Sequence, residues 1–132
     1  MRTSHETRLP PSFRRIRLEL AREPGLPEGD AQTGYSLVAP IDAKGRLDVE
    51  AALAHRDACR VVRFRRGEDS IEGLLRRRPG GSWAIHYDFA SGAEDDDPGY
   101  KLGEHTFALG EYVTILEDEG AHTYRVVSVE PV

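Results

Sequence analysis

His86, Asp88 and Glu72 are the residues best suited to acid–base chemistry. His86-x-Asp88 places an imidazole and a carboxylate on one side of an extended segment, and a hairpin that sets Glu72 across from Asp88 adds a second carboxylate. Two carboxylates on neighbouring strands repel. The repulsion raises the pKa of one of them and leaves it available for proton transfer, whereas Arg65, expected in the same row, opposes that shift. His86 with Asp88 or Glu72 would then act as the acid and base of a small hydrolase or isomerase. The plainer reading is a solvated sheet face on which Arg65 neutralises the two acids, each such pair worth about 0.2–1 kcal/mol.

Other constellations are weaker. His86, Asp88, His105 and His122 could ligate a metal, but the sequence has no cysteine pair and no His-Glu-x-x-His spacing. Asp95, Asp97 and Gly99 fall short of a calcium loop, which needs a third oxygen ligand before its glycine. No metal or other cofactor is expected. His55 and Cys59 lie four apart, the spacing of a thiol and its base on one helix face, but Cys59 would sit at a helix C-terminus, where the dipole raises a thiol pKa. A buried thiol is the expectation for Cys59. The glycine pair Gly80-Gly81 falls in a hairpin turn rather than between a strand and a helix, so no phosphate-binding loop is present.

Arginine clusters from Arg56 to Arg78, while acidic residues gather at Asp88 to Asp97 and Glu111 to Glu119. Arg63, Arg65 and Arg76, with Arg77 and Arg78, form the candidate binding surface. Nucleic acid would need aromatic rings beside these arginines for stacking, and the expected register buries Phe64, Tyr87 and Phe89, so an RNA partner is not favoured. The more economical partner is a second copy of the chain, its acidic loop or C-terminal hairpin meeting the arginine face in a charge-complementary homodimer. Lysine occurs only at Lys44 and Lys101, a bias that is more often an effect of genomic base composition than a sign of guanidinium recognition.

The chain has 132 residues, 39% hydrophobic and 31% charged, with a net charge of −5 and one cysteine, which fits one soluble domain without disulfides. No apolar run approaches the roughly 20 residues of a membrane helix. Residues Met1 to Pro11 lack the apolar segment of a secretory signal, so a cytoplasmic location is expected. Residues 1–12 read as a flexible tail and 13–132 as the domain. Ile16, Leu18 and Leu20 alternate with charged neighbours and mark a strand. Glu23 to Gly34 reads as a loop, Tyr35 to Ile41 as a strand and Asp42-Ala43-Lys44-Gly45 as a tight turn. Asp48 caps a short helix with an apolar stripe of Val49, Ala52 and Leu53.

Cys59 to Arg66, Ile71 to Arg78 and Trp83 to Phe89 form an antiparallel meander. Burying Val62 and Phe64 sets them against Leu75 and Gly73, and a short Pro79-Gly80-Gly81 turn then sets Gly73 against Tyr87 and Leu75 against Ile85. That register keeps Trp83, Ile85 and Tyr87 inside, with His86 and Asp88 outside. Ser91 to Gly103 reads as a mobile acidic loop. Glu111 to Glu117 and Ala121 to Val129 form a last hairpin, with Val113, Ile115, Val127 and Val129 inward. The expectation is a mainly β (α+β) fold, a curled antiparallel sheet or small partly open barrel of about six strands with one short helix.

Gly34-Tyr35-Ser36-Leu37-Val38-Ala39-Pro40-Ile41-Asp42, Gly110-Glu111-Tyr112-Val113-Thr114-Ile115 and His122-Thr123-Tyr124-Arg125-Val126-Val127 resemble small β-rich bacterial proteins of unknown function. The resemblance runs from Gly34 to the end of the chain, implies a bacterial β domain and carries no catalytic residue. With no catalytic motif and with opposed charge blocks, the expected function is a non-enzymatic binding or interaction module.

Overall fold

Period-two alternation of apolar and charged residues makes Phe13–Leu20 the first strand, β1, of a computed structural model that describes residues 9–79, 82–88, 97–98, 102–117 and 120–132. The further strands are β2 (Asp30–Pro40), β3 (Arg60–Phe64), β4 (Ile71–Arg77), β5 (Trp83–Tyr87), β6 (Asp97–Pro98), β7 (Tyr112–Glu117) and β8 (Gly120–Pro131). They form one antiparallel sheet in the order β6-β5-β4-β3-β2-β1-β8-β7. The sheet curls into a half-barrel, and β6 at one end comes close to β7 at the other.

Among the described residues the one α-helix, α1 (Val49–Ala54), starts where the Asp48 side chain accepts from the Ala51 N–H at 3.2 Å. A 3-10 turn, Arg56–Ala58, continues it toward β3. The turn before the helix needs a left-handed residue, and Gly45 supplies it at φ 84°. Ala52 is buried and Val49 half-buried, whereas Leu53 is 45% exposed, so the expected stripe holds on two of its three members. Inward residues of β1, β2, β7 and β8, among them Ile16, Leu18, Tyr35, Leu37, Val113, Ile115, Tyr124 and Val126, fill the concave side. Among the described residues, no helix is long and apolar enough to cross a membrane.

The hairpin of β4 and β5 has the expected register, Gly73 against Tyr87 and Leu75 against Ile85, and Trp83, Ile85 and Tyr87 are buried. Gly80, Gly81 and Phe89, which entered that reasoning, lie outside the described residues, as does most of the expected acidic loop. Two parts of that loop are ordered elements: Asp97–Pro98 pairs with Ile85 and Ala84, and Leu102 is buried in a second 3-10 turn (Leu102–Glu104). Strand β2 begins at Asp30, inside the segment read as a loop. There the Asp30 carboxylate accepts from the Gln32 N–H and from Thr33 and Arg66 side chains, replacing the ladder bonds that the glycines and prolines before it withhold. In the region expected as a tail, Leu9 packs against the core and the Ser12 carbonyl accepts from the Ile41 N–H.

Two register corrections matter for the site. Between β3 and β4, Val61 faces Gly73 and Arg63 faces Ile71, three residues from the expected pairing. An odd shift reverses both faces. Val61 and Cys59 are therefore in the core, while Val62 and Phe64 are half-buried outside, the latter beneath the Arg17 guanidinium at 4.3 Å. In β8, a register shift opposite Arg17 and Leu18 makes Val127 the extra residue of a bulge, so Val126 faces inward and Val127 does not.

Candidate functional site

Strand parity carries polar residues into one end of the half-barrel. Val113, Ile115 and Glu117 alternate inward along β7, and His122 and Tyr124 lie opposite Ile115 and Val113 on β8. Tyr35 and Thr33 share the inward parity of β2. Arg65, just beyond β3, follows Arg63, whose partner across the ladder is Tyr35. The apolar interior thus ends in a layer of Thr33, Arg65, Glu117 and His122 with Leu20, seated on the rings of Tyr35 and Tyr124. Those two rings meet edge to face at 5.2 Å. A pocket of about 220 Å³ opens over this layer, lined by Leu20, Thr33, Arg65, Glu117, His122 and Tyr124.

Glu117 is the centre of the layer. It is 6% exposed and the only buried charged residue among those described. The Tyr35 hydroxyl donates to its Oε2, and so does the Tyr124 hydroxyl, at 2.6 Å. Burial pushes the Tyr35 phenol far above its ordinary range, and the neighbouring Tyr87, Glu117 and Tyr124 add to the shift. Tyr35 is therefore a protonated donor at any physiological pH. The other oxygen, Oε1, stands 3.6 Å from Arg65 Nη2 and 3.9 Å from His122 Nε2, ion-pair distances beyond a direct hydrogen bond. The Nδ1 of His122 meets Glu23 Oε2 at 3.2 Å, which fixes the ring from outside the barrel end.

One oxygen of the carboxylate is thus saturated by fixed phenols, while the other lies at ion-pair distance from Arg65 and His122, which line the pocket together with Glu117. Such an arrangement can accept a hydrogen bond through Oε1 and offer donors beside it, so it suits a small ligand with a donor next to an acceptor.

The residues singled out from sequence are arranged otherwise. Glu72 and Asp88 do share a row on the outer face, but the cation between them is Arg60, whose Nη2 lies 3.3 Å from Glu72 Oε1 and 2.8 Å from Asp88 Oδ2. Their side chains are 64% and 54% exposed, which makes the trio a solvated cross-strand ion pair. His86 is half-buried opposite Leu74. Arg65 was expected in the row of Glu72 and Asp88 and Arg63 in the row of His86. Both face the other side, Arg65 toward Glu117 and Arg63 over the Tyr87 ring at 5.1 Å. Arg76 is exposed at the far end of β4. Cys59 is fully buried; desolvation pushes its thiol up to about 11, and its Sγ points to the His55 carbonyl at 3.8 Å. Among the described residues, no group of three or more His, Cys, Asp or Glu side chains converges as a metal site.

Glu117, Tyr35 and Tyr124 were not singled out from the sequence, and His122 entered only as a possible metal ligand, although part of the signal was present. Once Val113 and Ile115 are placed inward, Glu117 is the next residue of the same parity, and a charge in that position marks a site. The tyrosine partners come from long-range pairing that no local pattern specifies. No family model matches this chain, and neither a curated protein nor a solved structure matches it.

Proposed function

We propose that the protein is a non-enzymatic binding module that holds a small polar ligand in the pocket above Glu117. One observation carries the reading: a 6%-exposed carboxylate, anchored through Oε2, holds Oε1 beside Arg65 and His122 in the lining of a pocket. Stability gives little reason for such a charge, since replacing a buried ionic cluster with apolar groups of similar volume is often neutral or stabilising by about 1–4 kcal/mol. The charge balance of the layer, one carboxylate beside one guanidinium, favours a neutral or zwitterionic ligand. The volume, about 220 Å³, is below that of common drug-sized pockets of about 300–1,000 Å³ and fits a ligand the size of an amino acid or a pyrimidine base.

Binding is favoured over turnover because the carboxylate is held as a fixed acceptor and the chain's one thiol, on Cys59, is buried elsewhere. The charge-paired homodimer draws less support, because Arg63 and Arg65 turn inward and Arg60 is engaged by carboxylates of its own face.

The test is an amide-resolved NMR titration with glycine, urea, acetamide and uracil as probes. At least one probe should shift Thr33, His122 and Tyr124 saturably, and Glu117→Gln should abolish the response. If no probe moves these amides, or if Glu117→Gln responds like the parent, the reading fails.

A further inference from the structure

A second concavity, remote in sequence from Glu117, lies beside the edge that β4 leaves open past the first residue of β3, where β4 runs on paired only with β5. Its volume is about 320 Å³, and Leu53, Arg56 and Asp57 on the helical side face Leu74, Arg76, Arg77 and Trp83 across it. The ladder explains the gap. Leu75 donates its N–H to the Cys59 carbonyl, the last bond on that edge before the chain turns into the 3-10 segment. By strand alternation the Arg77 N–H points to the same side, into the space that a longer β3 would have filled.

The charges here differ from those elsewhere on the molecule. Arg17, Arg60 and Arg66 each hold a carboxylate, as expected in a chain of net charge −5. Among the described residues, the side chains of Arg56 and Arg76 make no hydrogen bond or ion pair, although three arginines converge on this one groove. Arg77 is steadied by the Trp83 ring, its guanidinium carbon 5.3 Å from the ring centroid. Asp57 is the one carboxylate in the lining, so the groove keeps an excess of two positive charges. Leu53, at 45% exposure, forms with Leu74 an apolar wall beside them.

We propose that this groove binds a small phosphomonoester, with its phosphate on Arg56, Arg76 and the Arg77 N–H and its apolar body against Leu53 and Leu74. Three features select this class. A phosphomonoester carries about −1.5 to −2 charges at pH 7, matching the excess in the groove. Guanidinium forks and a backbone N–H both suit its oxygens. The apolar wall favours an ester over inorganic phosphate, and the volume admits a ring on the phosphate but not a macromolecular partner.

Phenyl phosphate, inorganic phosphate and phenol are the probes, followed through arginine Nε–Hε and Leu53 methyl resonances at low salt. Phenyl phosphate should shift Arg56, Arg76, Arg77 and Leu53 saturably, inorganic phosphate should bind more weakly, and phenol should not bind. Arg56→Gln and Arg76→Gln alter exposed side chains outside the core, and each should weaken phenyl phosphate about tenfold. Glu117→Gln should leave this binding unchanged, which separates it from the pocket at the other site. The proposal is overturned if shifts fail to saturate by about 10 mM, a range that already spans the weak end of specific binding. Equal shifts at Arg22, Arg46 and Arg125, or unaltered affinity in both glutamine variants, would overturn it as well.

Discussion

Replacing Glu117 with alanine strips two phenol donors of their shared acceptor. Tyr35 and Tyr124 are 1% and 2% exposed, and both hydroxyls end on Oε2 of a residue that is 6% exposed. A buried donor left without a partner costs about 1–3 kcal/mol, so the variant should lose about 2–6 kcal/mol, a large part of the roughly 5–15 kcal/mol that holds a domain together. Glu117→Gln keeps an acceptor oxygen in place but surrenders the charge assistance, which roughly halves each of two bonds worth about 1.5–3 kcal/mol; its loss should be about 1.5–3 kcal/mol. The triple variant Tyr35→Phe, Tyr124→Phe, Glu117→Leu removes donors and acceptor together and should lie near the parent. Urea unfolding of the four proteins gives the differences directly. A cost below about 1 kcal/mol for Glu117→Ala would mean that the phenols find water instead and that Glu117 is not their obligatory acceptor.

Two further outcomes follow from the packing. Desolvation lowers the pKa of His105 below its ordinary 6.5, Glu104 partly opposing, and the Thr114 N–H approaches its Nε2 at 3.4 Å. The folded state thus binds this proton less readily than the unfolded chain, so His105 withdraws stability as pH falls through about 6.5 and has no effect well above it. Unfolding measured from pH 7.5 to 5 should show a decline that His105→Gln reduces, and identical slopes for the two proteins would refute it. At Gly34 an added Cβ would stand 1.9 Å from the Leu18 carbonyl oxygen, a backbone atom that cannot turn aside. Gly34→Ala should therefore force β1 and β2 apart and cost about 1–3 kcal/mol or more in urea unfolding, and a neutral result would show that the strands slide freely.

Elements whose periodicity was strong were legible in the sequence. Ile16, Leu18 and Leu20 marked β1, and the aromatic side of β5 fixed its hairpin with β4. The failures came where one residue changes parity. In β3 both Val61 and Val62 are apolar, so pattern alone could not choose a face, and pairing with the long β2 decided it: Val61 lies against Leu37 and Arg63 against Tyr35. In β8, three valines within Val126 to Val129 concealed the bulge. The outer-face acids were placed correctly, but their cation came from Arg60 because the β3 register moved. The polar layer was hidden for a different reason: Tyr35 and Glu117 are 82 residues apart, and only the joining of β1 to β8 brings them together.

That joining has a consequence for how the molecule is made. From β1 to β6 each strand pairs with its sequence neighbour and can form as the chain emerges, but the second edge of β1 must wait for β8, which follows nearly all of the rest. Contacts so distant in sequence are slow to form because the intervening chain must be closed first. Until then the Glu117 carboxylate remains hydrated and the two phenols are separate. The cost of drying that charge therefore falls on the last docking event, and the pocket is completed by the same step that completes the sheet.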